Sequence, residues 1–366
     1  IKPGQDVGAR LKTGYSSADD SWLKSATVAG RQGEFDGLLH LSRRDGHETE
    51  SYGEHGGTGL SRTEANPADN KTDNVLAKLG WNYADDARLA LTYEHYKSDR
   101  DFDEKSSVGG PFTPSPLNFY QARTGSDVVT RERFGISHEF GLDSALADNV
   151  KWSLNYQIGK TDQRVAEIYR PIYTVERTRK TTYKDRQWIL DAQADKAFSI
   201  GSTDHLLTYG ATFKRNEVTG SRSGTATCLT TGFGCVTGQP NASGTLARVS
   251  DFPDPVVKTY SVFAQDEIRW NQWTFLPGLR YDQTRLQPHA TPEFLSAITG
   301  TADPVNMKEK KWERLSPKFG LTYAVNDNYT WYGQYAEGFR TPTAKALYGR
   351  FENPGQGYTV QGNPNL

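Results

Sequence analysis

Residues able to do chemistry are thinly and unevenly spread along this chain. There are seven histidines: His40, His47, His55, His95, His138, His205 and His289. His47 and His55 lie in the polar run "RDGHETESYGEHGGTG", and His289 in "LQPHATPEF". A loop histidine is a ready metal or haem ligand, although solvated histidine is the commoner outcome. His95 and His205 fall at strand ends and read as interfacial or lumenal. The only cysteines, Cys228 and Cys235, stand in "CLTTGFGC" within a Gly/Ser/Thr-rich stretch, without a histidine beside them. That context points to a local disulfide in an oxidising compartment rather than a metal site. The chain ends on "FRTPTAKALYGRFENPGQGYTVQGNPNL", which offers Tyr348, Tyr358, Arg340 and Arg350, a single glutamate, and neither histidine nor cysteine. No phosphate-binding loop, HExxH, GxSxG or CxxC pair is present, and no Ser, His and Asp set stands out, so an enzyme is not expected. The charge clusters "TGSDVVTRERFG" and "TTYKDRQW" read as polar-face strand residues rather than catalytic groups.

The elements that must position these residues are strands. Val75, Ala77, Leu79, Trp81 and Tyr83 share one face of "NVLAKLGWNY", and Lys78, Gly80 and Asn82 share the other. The same two-residue period recurs at Leu89, Leu91 and Tyr93, at Trp152, Leu154, Tyr156 and Ile158, and at Leu315, Phe319, Leu321 and Tyr323. Alternation of this kind is a strand with one apolar and one polar face. Composition agrees: 19 Tyr, 16 Phe, 8 Trp and 35 Gly accompany a single Met. So many aromatics exclude disorder, and a net charge of −1 argues against nucleic-acid binding. Mean hydropathy is −0.72, and no apolar run is long enough for a membrane helix. A transmembrane barrel strand escapes that test, because only every second residue is apolar.

Connections alternate in length. The short ones are "RQGE", "ADD", "GLDSALADN", "IGSTD", "RWNQW" and "VNDN". Long ones lie near 44–73, 98–127, 219–255, 287–309 and 340–366, with 171–180 shorter but in phase. An outer-membrane barrel sorts its connections this way, with short periplasmic turns and long extracellular loops. Aromatics such as Trp81, Tyr83, Trp270, Trp273, Tyr329 and Trp331 stand near strand ends, where interfacial girdles belong. The reading is an all-β, transmembrane antiparallel β-barrel of about thirteen strands over 1–366. Closed bacterial barrels have even counts, so a partial barrel domain is expected, lacking further C-terminal strands and beginning mid-chain.

At its end the sequence resembles a known family. "YAEGFRTPTAKALYG" followed by "NPNL" is similar to the paired FRAP and NPNL boxes of TonB-dependent haem receptors in Gram-negative outer membranes. Phe339, Arg340, Thr341 and Pro342 form the first box and Asn363, Pro364, Asn365 and Leu366 the second, with Thr341 where the family usually has Ala. "YSVFAQDEIRW", "LPGLRYD" and "WERLSPKFGLTYAVNDNYTWYGQYAEGFR" resemble barrel strands of the same superfamily, siderophore receptors included. The resemblance implies a barrel of about 22 strands around an N-terminal plug, with haem taken up from solution or a haem-carrier protein and energy supplied by the TonB complex through the plug. Outer-membrane lipid would surround it. It makes 340–366 the seventh outer loop, the one that carries a haem ligand. The family's usual loop ligand is histidine, which this loop lacks. A tyrosinate oxygen is a suitable hard ligand for ferric haem iron, so Tyr358, or failing it Tyr348, is the expected substitute. This is the pattern of the Tyr-ligating subset found in Pseudomonas, which pairs a loop Tyr with a plug His. Arg340 and Arg350 are candidates to pair haem propionates. A siderophore receptor on the same scaffold, or a passive porin or adhesin, is the alternative.

Overall fold

A computed structural model of the chain describes residues 5–109, 119–170, 174–229, 244–298, 307–353 and 358–366. Nearly everything described is one antiparallel meander. It runs through β1 (Val7–Ser16), β2 (Ser21–Gln32), β3 (Phe35–His47), β4 (Ala68–Ala84), β5 (Ala87–Asp103), β6 (Phe119–Gly141) and β7 (Asn149–Arg170). It continues with β8 (Val175–Ile200), β9 (Thr203–Cys228), β11 (Asp254–Trp270), β12 (Trp273–His289), β13 (Lys310–Asn326) and β14 (Tyr329–Ala336). A short strand, β10 (Gly244–Val249), lies off this path and pairs with β9. A short helix, α1 (Pro292–Ile298), stands in the connection after β12. Each strand of the meander otherwise pairs with its sequence neighbours, and β1 and β14 end the path.

The alternation seen in the sequence sets the two faces. Leu79 stands opposite Leu91, and Leu91 opposite Ile136. Tyr93, Phe134, Tyr156 and Trp188 follow as one cross-strand row, with ring centroids 4.9 Å apart for Tyr93–Phe134 and 4.5 Å for Tyr156–Trp188. These apolar residues are largely exposed, Leu79 at 64% and Leu91 at 50%. A continuous apolar face open to the surroundings along a whole sheet is the signature of a surface that meets lipid. His138 and His205 belong to this face near the short turns. His138 Nε2 is 2.6 Å from Tyr83 Oη, and His205 stacks on Phe198 with Nδ1 2.7 Å from Asp266. His95 also shares it, 3.5 Å from Glu132, so it is not lumenal. Glu132, Lys184 and Arg186 of the two charge clusters likewise point to the apolar side, whereas Arg131, Arg133 and Asp185 keep to the polar side. His40 lies on the polar face, 2.7 Å from Thr27 Oγ1.

Turns obey the expected asymmetry from β2 onward, the β1–β2 link being a tight turn at the long-loop end. At one end the links are as tight as Asn271–Gln272, where Asn271 takes φ 53°, as a two-residue hairpin between right-twisted strands requires. The strands outrun the expected loop boundaries at the other end. β8 and β9 are each 26 residues long, against about 10 needed to cross a bilayer. β9 therefore enters the stretch read as loop from 219, and β8 the stretch from 171. Apart from Val175 and Ala226 these extensions are polar on both faces, so they lack the apolar period that marks a strand in sequence.

Packed interior is scarce and sits on the polar face, at the long-loop end. One cluster joins Tyr169, Val175 and Ala226. The other joins Leu286 of β12 to Ala344, Leu347 and Tyr348, with Val257, Met307 and Trp312 against it. Both form where connections fold back over the sheet.

Candidate ligand-binding site

The last connection begins as β14 ends, and a helical turn, α2 (Ala344–Tyr348), follows at once. Thr343 caps it, its Oγ1 accepting from the Ala346 N–H at 3.2 Å. Ala344, Leu347 and Tyr348 are the residues it buries. A hairpin follows, β15 (Arg350–Asn353) with β16 (Tyr358–Gln361), in which Phe351 faces Val360 and Asn353 faces Tyr358.

The second box returns to the helical turn that follows the first. The Gly362 N–H donates to the Gly349 carbonyl at 2.7 Å, and the Asn363 N–H to the Ala346 carbonyl at 2.8 Å. The second box thus closes on the helix that follows the first. Asn363 also orders its own box, its side-chain oxygen accepting from the Asn365 N–H at 2.9 Å. Gly362 makes this closure possible, because a Cβ there would lie 2.6 Å from the Leu347 carbonyl carbon and 2.7 Å from the Tyr348 nitrogen. No other residue type fits so close to backbone.

The tyrosines have unlike surroundings. Tyr348 is 1% exposed, and its hydroxyl donates to the Lys308 carbonyl. Burial pushes its phenol above the ordinary value, which disfavours the tyrosinate a metal needs. Its place in the fold is that of an anchor, pinning α2 to β12. Tyr358 is 46% exposed on the hairpin. Its ring lies 6.0 Å from that of Phe351, and the Arg222 guanidinium covers Phe351 at 4.8 Å. Arg222, from the polar face of β9, is ion-paired with Asp251 at 2.5 Å. The Asp251 carbonyl accepts the Arg350 N–H at 2.8 Å, tying the hairpin to this wall. Arg340 is exposed and Arg350 half-buried. Phe351 and Arg222 carry no signal in the sequence; the hairpin sets Phe351 near Tyr358, and the docking of that hairpin against β9 sets Arg222 over Phe351.

Beside this wall stands a buried charge. The Glu167 side chain has no exposure, and Arg177, Arg179 (3.1 Å) and Arg123 (3.9 Å) surround it. Arg177 lies 4.5 Å over Tyr169, and Arg123 5.1 Å over Tyr120. A carboxylate can be buried only when paired this well. The histidines of the long connections do not converge: His47 contacts Asp69 at 3.1 Å, and His289 lies 3.2 Å from the Asp254 carbonyl. Among the described residues no three His, Cys, Asp or Glu side chains form a metal cluster. Cys228 closes β9, but Cys235, its expected disulfide partner, lies outside the described residues.

A lipid-facing antiparallel meander with sorted loops, ending in a connection whose second box folds back on α2, is what a barrel receptor presents. The chain belongs to the TonB dependent receptor-like, beta-barrel family, whose model matches residues 78–366. That family places it in the bacterial outer membrane. It is 22% identical to the hemoglobin-haptoglobin utilization protein B of Neisseria meningitidis serogroup C, over 97% of this chain and 47% of the relative. It is 24% identical to the hemin receptor of Yersinia enterocolitica, over 95% of this chain and 41% of that protein. The chain thus spans less than half the length of these relatives. Among solved structures, the Serratia marcescens hemophore receptor HasR, in complex with its hemophore HasA and heme, matches all of this chain and 50% of its own, with TM-score 0.64 and 17% identity. That match carries the fold.

Proposed function

We propose that these residues form barrel strands and outer loops of a TonB-dependent receptor that binds haem outside the cell and imports it for iron. Its work is transport rather than catalysis. The observation that carries this reading is the closure of the second box on α2, which holds a hairpin with Tyr358 exposed upon it. Relatives named for hemin and for hemoglobin-haptoglobin use support haem over other iron ligands. On this reading Tyr358 gives its phenolate oxygen to ferric iron, the iron itself lowering the phenol pKa on binding. Phe351 offers the macrocycle an aromatic neighbour, and Arg340 and Arg350 pair its propionates. The plug, its axial histidine, its contact with TonB and the strands that close the barrel lie in the remainder of the length that the relatives have. The carrier is a haem-bearing protein, and the Cys228–Cys235 disulfide constrains the outer loop between β9 and β11.

The test is growth on haem as sole iron source, with and without TonB, alongside the haem absorbance spectrum of the purified receptor. Tyr358→Ala is expected to shift the spectrum and weaken binding. An unchanged spectrum and affinity would remove the ligand assignment. Ferric-siderophore uptake without haem uptake would replace the haem reading by the siderophore one.

A further inference from the structure

The outward face carries a second pattern, which the ligand site does not use. Register sets Tyr156 opposite Trp188, Trp188 opposite Arg215, Arg215 opposite Lys258, Lys258 opposite Arg285, and Arg285 opposite Lys311. One row therefore passes from two aromatics to four consecutive cations on adjacent strands. Like charges directly opposite one another oppose pairing, and the local acids offset only the ends of the row. Glu217 pairs with Arg215, and Glu313 with Lys311. In the middle, Arg285 Nε donates to Gln283 at 3.2 Å, and Lys258 meets no carboxylate among the described residues. Glu309 is taken by Gln287 at 2.9 Å. Arg186, one strand back, is only loosely tied to Glu217 at 3.9 Å.

The height of these cations decides what they meet. The last outward Trp, Phe, Tyr or Leu of the apolar band is Trp188 on β8, Phe213 on β9, Tyr260 on β11, Tyr281 on β12 and Leu315 on β13. Arg186, Arg215 and Lys258 stand two residues beyond it, and Arg285 and Lys311 four. At about 3.3 Å per residue on tilted strands, that is roughly 5–10 Å past the hydrocarbon edge, on the long-loop side. The headgroup layer occupies about 5–8 Å on each side of a bilayer core. The cations follow this layer from strand to strand, although the strands tilt through it.

We infer that Arg186, Arg215, Lys258, Arg285 and Lys311 form a docking surface for phosphate-bearing lipid of the outer leaflet. The phosphates supply the counter-charge that the row lacks, and the aromatics and Leu315 below receive the acyl chains. The surface is continuous with the lipid-facing band and independent of the haem reading.

The test uses the full-length receptor in neutral detergent with bisphosphorylated lipid A, the bound lipid being counted by native mass spectrometry. Wild type is expected to retain it, and the R215Q/K258Q/R285Q/K311Q variant to lose at least about tenfold in apparent affinity, while its haem spectrum stays that of wild type. Phosphate-free lipid A is expected to bind wild type no better than it binds the variant. Equal retention of the two lipid forms, or by the two proteins, overturns the proposal. Displacement of the lipid by excess inorganic phosphate overturns the assignment to lipid. Should the four-site variant fail to fold, K258Q/R285Q and the wild-type comparison of the two lipid forms decide the same question.

Discussion

Two tyrosines ten residues apart answer to different physics. Tyr348 is buried with a satisfied hydroxyl, whereas Tyr358 is exposed on an aromatic support. Substitution should separate them. Tyr358→Phe keeps the ring and removes the oxygen, so haem affinity is expected to fall by at least about tenfold, or about 1.4 kcal/mol. Tyr358→His should restore binding with a new absorbance spectrum. A Tyr358→Phe protein that binds haem as wild type does would place the iron elsewhere. Glu167 makes the opposite case, since nothing in "RVAEIYR" marks it as buried. Glu167→Ala would leave Arg177 and Arg179 without their shared carboxylate, Arg123 keeping Glu104 at 3.2 Å, and a destabilisation of about 3–5 kcal/mol is expected. Thermal melting in neutral detergent measures it, and a change within error would mean that solvent already screens the cluster.

Among elements, the terminal connection behaves as a closed unit. Gly362→Ala pushes a methyl into the backbone of α2, at a cost of about 1–3 kcal/mol. The expected result is weaker haem binding, with faster proteolysis after α2 and an unchanged barrel melting temperature. Loss of the barrel transition would show the helix to be part of the scaffold. The turn between β1 and β2 docks on the end of β3 in a similar way. The His47 and Glu50 amides donate to the Asp19 and Ala18 carbonyls at 2.9 and 2.8 Å. Hydrogen bonds from the Ser21 and Ser16 hydroxyls, and Arg44, hold the Asp19 carboxyl below its ordinary value. A folded-state pKa depressed in this way adds stability above the unfolded pKa, and that stability is lost as pH falls through the folded one. Protection of the His47 and Glu50 amides against exchange, relative to their intrinsic rates, should therefore fall below about pH 4. A flat protection profile across that range would show that Asp19 does not hold the turn.

For the molecule as a whole, the sheet is governed by its two solvents. The apolar face is set for lipid, the row beyond it for headgroups, and the polar face for loops that fold inward. Placing the receptor in vesicles rich in phosphate-bearing lipid should raise its melting temperature relative to neutral vesicles. The four-site glutamine variant should show no such difference.

Strand alternation, loop sorting and the paired boxes were all legible in the residues themselves, because each is a local pattern with a local cause. A period of two needs only neighbouring side chains, and a tight turn needs only its own dihedrals. The upper reaches of β8 and β9 were not legible, since a strand with two polar faces has no period to betray it. Nor was the contrast between a buried Tyr348 and an exposed Tyr358, which depends on what α2 finds on β12. The nearness of Arg222 to Phe351 follows from how the terminal hairpin docks against β9, and the alignment of Arg215, Lys258, Arg285 and Lys311 from register between strands distant in sequence. Register is a property of paired strands, so tertiary structure alone decides it.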